Sequence, residues 1–240
     1  MYKKITHHIV EEHFDHPIAA ELKRKVEKNK VEPKAKAFIH SYDLSPLSQY
    51  EKDSLNYWGQ LAWRISSLVV SITEGDKNID VLKERMAGDI NNIAKIVEDC
   101  YGTDAAKAFS KLLNDITLAL VEVLILVKED RDTTKAMSHL ADTNKALGNF
   151  LEKASKLWPS DVVVDIFGQI ENLYIMQAIS RIKKEWAPGI AAADDAYNII
   201  AVHQDGGGKS FADIFSAGIR DCLEKKIATE ITQDLDYMET

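Results

Sequence analysis

A chain of 240 residues, 45% of them apolar, can bury one large core or two small ones. Only 5 prolines and 11 glycines interrupt a sequence rich in Ala, Leu, Ile, Lys and Glu, which points to an all-α protein. A formal charge of −8 repels phosphate backbones and argues against nucleic acid as a partner.

Residues 1–47 read as an arm and linker. Ile5, Ile9, Val10 and Phe14 can line one side of a short helix, and Pro17 opens a second holding Ile18, Leu22 and Val26. The stretch 27–37, EKNKVEPKAKA, is lysine-rich and weakly apolar. Its lysines alternate with Glu27 and Glu32, as on a solvated face. The N-terminus has no apolar signal-peptide core, and no segment reaches the roughly 20 apolar residues of a membrane span, so no membrane insertion is expected. Cys100 and Cys222 follow apolar helical patterns and are expected to be buried free thiols rather than a disulfide. A cytoplasmic setting, or a virion, is the matching expectation.

From Ser48 the periodicity sharpens. Ser48 and Glu51 have capping-box spacing, and Leu55, Trp58, Leu61, Ile65, Leu68 and Ile72 follow at helical steps to Gly75. Ile79 to Val97 makes a second helix ending near Gly102. Thr103-Asp104 opens a third that runs to Lys128. This third helix holds the most apolar stretch, Leu118 to Val127, where Glu122 is the single charge, and it is expected to be central and surrounded. Asp132 opens a fourth helix, stopped by Trp158-Pro159, and Ser160 a fifth through Trp186. Pro188-Gly189 breaks that one, a short helix covers 190–203, and Gly206-Gly207-Gly208 is a corner. Ser210 with Asp213 caps the last helix, and the acidic tail is expected to fray after Ile231. Short connections imply an antiparallel up-and-down multi-helix bundle. The segments 85–97 and 139–151 resemble each other, and an apolar helix follows each, so two duplicated half-bundles are expected. The divisions are then 1–47, a bundle at 48–228 and a tail at 229–240.

One set of residues also carries a likeness. Trp58, Arg64 and Ser71, the spacing Arg85, Asp89, Asn92, Ile93, then Tyr101-Gly102, Leu112-Leu113, Trp158-Pro159 and FADIFSAGI at 211–219 together resemble a family of soluble helical proteins of Gram-positive bacteria and large DNA viruses. The likeness covers about residues 55–222. It implies an all-α fold and no established activity. Where that family has a histidine after the Leu-Leu pair, this chain has Ile116.

Four constellations could carry chemistry. His7, His8, Glu12, His13 and His16 place ligands at helical spacing for Zn or Fe, without a second cluster to close the shell. Elemental analysis of the purified chain tests that reading. A di-iron bundle would need Glu-x-x-His motifs within apolar helices, and none occurs. DGGGKS at 205–210 ends like a phosphate loop, but His203 replaces the first glycine. Asp115, Glu122 and Glu129 share one stripe, and Glu122 is expected to be buried and paired with Arg64, Arg85 or Arg181. That pair either fixes helix register or lines a small ligand-binding cavity. Asn92, Asn144 and Asn172 read as buried amides, and the four tryptophans as packing. Without a nucleophile and base in a recognisable arrangement, an enzyme is disfavoured. The leading expectation is a non-catalytic interaction or assembly protein with a protein partner or self-association. Metal binding and small-ligand binding are the alternatives.

Overall fold

The structure is a computed structural model that describes residues 45–202 and 209–238. Seven α-helices make up the described chain: α1 (Ser45–Glu74), α2 (Ile79–Tyr101), α3 (Thr103–Lys128), α4 (Thr134–Ala154), α5 (Ser160–Ile182), α6 (Trp186–Ala201) and α7 (Phe211–Met238). No strand occurs among the described residues. Leu47–Cys222 is one compact unit, and Leu223–Met238 belongs to another.

The helix ends show where local chemistry won. α1 starts at Ser45, one turn before the expected capping box, because Pro46 has its φ preset for a first turn. Glu51 is then free to pair with Arg220 of α7. Gly75 stops α1 with φ +77 and a closing bond from Asp76 N to Ser71 O of 2.9 Å. Asp132 caps α4, accepting from Thr134 N at 3.0 Å. The box at the start of α7 forms as expected: Asp213 N donates to Ser210 Oγ at 3.2 Å, and Ser210 N to Asp213 Oδ2 at 2.9 Å. The Ser210 hydroxyl also donates to Asp213, so it is engaged in the cap rather than in a phosphate loop.

Three further boundaries differ from expectation. α5 ends at Ile182 because Lys184 turns the chain with φ +63. Pro188-Gly189 does not break a helix: Pro188 lies in the first turn of α6, where its missing N–H costs nothing. α7 also remains helical beyond Ile231, to Met238.

Consecutive helices from α2 to α6 pack side by side, and α3 also packs on α5. α3 thus has α2, α4 and α5 as neighbours, but Leu118, Glu122 and Ile125 leave one stripe open to solvent. α5 also has several helices around it. It packs on α3, α4 and α6, and it bonds to α1 through Tyr174 Oη to Ala62 O (2.9 Å) and Gln177 Nε2 to Ser66 Oγ (2.9 Å). By length and composition α5 could cross a membrane, which corrects the expectation that no segment reaches that size. Here its inward face carries buried Glu171, Tyr174 and Gln177.

The half-bundle repeat is visible residue by residue. Met86, Ile90, Ile93 and Val97 of α2 are buried, and so are Leu140, Asn144, Leu147 and Leu151 of α4, each 54 positions on. The same offset maps Phe109, Leu113, Ile116, Leu120 and Leu124 of α3 onto Val163, Phe167, Ile170, Tyr174 and Ala178 of α5, all buried. Exposed Leu118, Glu122 and Ile125 map onto exposed Asn172, Met176 and Ile179. α2–α3 and α4–α5 are therefore two helical hairpins with the same pattern of buried and exposed positions.

Aromatic rings tie α1 and α7 to these hairpins. Trp58 meets Phe167, Phe211 and Phe215 edge-on, at 4.8 Å for Phe211. Trp158 stacks on Phe215 at 5.4 Å and donates from its indole to Ile214 O at 2.9 Å. Gly218 makes room for it, since a Cβ there would fall inside the Trp158 ring. Gly218→Ala should therefore cost about 1–3 kcal/mol of unfolding free energy, read from urea denaturation.

Cys100 and Cys222 are joined in a disulfide across a Cα separation of 6.1 Å, not held as free thiols. Each ends an inward stripe, after Ile93 and Val97 on α2 and after Phe215 and Ile219 on α7, so the two stripes deliver the sulfurs to one place. That removes the thiol argument for a reducing compartment. The bond closes a long loop, so reduction, or Cys222→Ser, should lower stability by about 2–5 kcal/mol, measured by the same denaturation with and without dithiothreitol.

Candidate functional site

Among the described residues, Glu171 is the one carboxylate that the fold takes out of water without a countercharge. It sits on the inward stripe of α5, between Phe167 and Tyr174, and is 6% exposed. Asn144 of α4 donates from Nδ2 to its Oε2 at 2.7 Å. Its Oε1 has no partner. Burial pushes the carboxyl up from its ordinary 4.5 to about 8, and the Asn144 bond only partly opposes this. At neutral pH Glu171 is therefore a neutral acid, which is how a lone buried carboxyl avoids the cost of a buried charge.

Glu171 also lines a small apolar cavity of about 40 Å³. Its walls are the two equivalent stripes of the repeat: Leu113, Ile116, Thr117 and Leu120 from α3 face Phe167, Ile170, Glu171 and Tyr174 from α5, position for position. Trp58 of α1, Ile200 of α6 and Phe211 of α7 complete it. Trp58 Nε1 is buried and also lacks an acceptor. Tyr174 is the other titratable lining group. Burial raises its phenol far above the ordinary 10, and it is tied to Ala62 O.

The residues picked out by sequence do not converge. Glu122 is exposed and has no ion-pair partner among the described residues, because Leu118, Glu122 and Ile125 form the solvent stripe of α3. Arg64 instead pairs through Nε with buried Asp89 of α2. Arg181 pairs with Glu74 of α1 at 2.8 Å and lies 5.3 Å from the Trp186 ring centre. Arg85 is exposed. Asp115 is bound by Lys111, and Glu129 by Arg131. Asn172 is exposed and Asn92 only half-buried, so Asn144 is the fully buried amide of the three. The histidine cluster at 7–16 lies outside the described residues, and among those described no group of acidic, His or Cys side chains is arranged for a metal. The signal for Glu171 was in plain view: it occupies an inward position of I-F-G-Q-I-E-N-L-Y, four after Phe167 and three before Tyr174.

A second feature lies on the outside. Trp186, Ile190 and Tyr197 fall on one stripe of α6 and are 51%, 59% and 40% exposed. The Tyr197 hydroxyl lies against Gly59 of α1, and one turn further along α1 stands Trp63, 63% exposed. Two tryptophans, a tyrosine and an isoleucine thus border the seam between α1 and α6. The chain matches no family model, no curated protein and no solved structure.

The folded protein holds the Glu171 proton more tightly than the unfolded chain does, so stability must fall as pH rises from about 4.5 through about 8. Relative to Glu171→Gln, the loss across that window should be roughly 3–5 kcal/mol, levelling off above it. Urea denaturation of both proteins from acid to mildly alkaline pH measures the difference, and parallel curves would show that the carboxyl ionises freely.

Proposed function

We propose that this chain is a non-catalytic interaction protein, a helical bundle that assembles with a second copy of itself through α6. One observation carries the reading: the exposed stripe Trp186, Ile190, Tyr197, continued across the seam by Trp63. Large aromatic side chains left in water are costly and are the residue types that dominate the energetics of protein interfaces.

The charges around the stripe favour a like partner. Lys184 stands just before α6, and Asp194 and Asp195 lie in its second half, all exposed. None of the three has an ion-pair partner among the described residues. An antiparallel two-fold crossing centred near Ile190 places Lys184 of each copy alongside Asp194 and Asp195 of the other, and stacks the two apolar stripes between them. Such an isologous contact is self-complementary and closes at two copies. A single helix face is a small interface, so a weak, concentration-dependent dimer is expected.

Sedimentation velocity over a concentration series should show a monomer–dimer equilibrium. Ile190→Asp should abolish it, Lys184→Asp should weaken it, and Lys184→Asp with Asp194→Lys and Asp195→Lys should restore it. A chain that stays monomeric at every concentration, or a dimer indifferent to Ile190→Asp, would overturn the proposal.

A further inference from the structure

The acid on α5 and the amide on α4 leave a matched pair of atoms unserved. Asn144 Nδ2 donates to Glu171 Oε2 at 2.7 Å, which holds the two planar groups together. The other oxygen of each, Glu171 Oε1 and Asn144 Oδ1, is buried, and no donor of the chain reaches it. Neither is open to solvent, so water does not serve them. A carboxylate oxygen and an amide oxygen are both acceptors, and leaving two of them bare in an apolar core is costly. A protonated carboxyl is different, because it has one O–H to donate. A single proton on Oε1 supplies the missing donor, and Oδ1 belongs to the same amide whose nitrogen is already engaged. The 54-residue repeat shows the two positions changing together: where the second hairpin has Asn144 and Glu171, the first has Ile90 and Thr117.

We infer that the Glu171 proton sits on Oε1 and is donated to Asn144 Oδ1, closing a two-bond acid–amide ring that latches α4 to α5 and opens when that proton is lost. With the ring closed, the amide donates to one acid oxygen and accepts from the other. Loss of the proton to solvent leaves a carboxylate held by one N–H and facing the amide oxygen, two acceptors that repel in a low-dielectric interior. No neighbouring charge is placed to take over. Tyr174, the next titratable group along α5, donates to Ala62 O. His139, Asp142 and Lys145 of α4 are exposed. α1, α3, α6 and α7 bring no titratable group to the cavity that Glu171 lines, and Arg64 of α1 is held by Asp89. Burial raises the Glu171 carboxyl from its ordinary 4.5 to about 8, so the latch is closed at and below neutral pH and opens as pH rises through about 8. A mildly alkaline shift is thereby turned into a loosening of the second hairpin.

The test uses the full-length chain and nuclear magnetic resonance across about pH 5 to about pH 10. The Glu171 carboxyl carbon and the Asn144 side-chain amide should titrate together, with one midpoint well above the ordinary carboxylate range. Protection of α4 backbone amides from hydrogen exchange, taken relative to α2 in the same sample so that base catalysis cancels, should fall by about tenfold or more above that midpoint. Glu171→Gln should abolish the fall, because two amides form the same ring at any pH. Asn144→Asp made together with Glu171→Gln moves the acid to α4 at unchanged size, and should restore the fall with a raised midpoint. Should that pair fail to fold, Asn144→Ile with Glu171→Thr installs the layer of the first hairpin and should leave the ratio constant with pH. A Glu171 carboxyl that titrates near its ordinary 4.5, an Asn144 amide that does not follow it, a ratio that stays flat in the unaltered chain, a swap that restores nothing, or a fall that persists in the Ile–Thr variant overturns the inference.

Discussion

The meeting of α3 and α5 constrains everything else in the bundle. Each is the second helix of a hairpin, and the two present the same inward positions to each other, 54 residues apart. Two equivalent stripes can interdigitate only where large residues on one face small ones on the other. In the repeat Phe109 corresponds to Val163, and Leu124 to Ala178. At the middle layer the volumes fall slightly short, and the cavity is the remainder. α1 and α7 then cover the joint with aromatic rings, Trp58 against Phe211 and Phe215, because flat side chains can cover the joint between two hairpins without fitting into either.

Polar chemistry inside this core follows two rules. Where a countercharge is within reach the chain pairs it: Asp89 has Arg64, and partly exposed Glu74 has Arg181. Glu171 has an amide in place of a guanidinium, and an amide cannot repay the removal of a carboxylate from water. Keeping the proton is the cheaper outcome. Glu171 is thus less a structural ion than a neutral hydrogen-bonding group whose charge appears only above neutral pH.

The fold was largely legible in the sequence because it rests on periodicity. The stripes of α1 to α5, the stop at Gly75 and the cap at Ser210 are all local patterns. The repeat could be read from residues 85–97 and 139–151 alone. The candidate site was less legible because apolarity around a residue does not say which way that residue faces. Glu122 lies in the oiliest stretch of the chain, yet a single exposed stripe of α3 passes through Leu118, Glu122 and Ile125. Glu171 lies in a less uniform stretch but on the inward stripe. Angular position, not local hydropathy, separates them. The disulfide was hidden for another reason: two cysteines 122 residues apart are brought together only by the packing of α7 on α2.

Comparison of the two hairpins locates the divergence. In inward positions Ile90 corresponds to Asn144, half-buried Thr117 to Glu171 and Val123 to Gln177; in an exposed position Glu122 corresponds to Met176. The first hairpin has apolar residues at these inward positions and a charge at the outward one, although it also buries Asp89, paired with Arg64, and exposes Leu118. The second carries its polar groups inward and a large apolar residue outward. Stability alone would not select that arrangement, since every inward polar group costs desolvation and every outward Met or Trp forgoes burial. The polar interior of α5 and the exposed aromatic stripe of α6 thus lie on two helices that pack side by side.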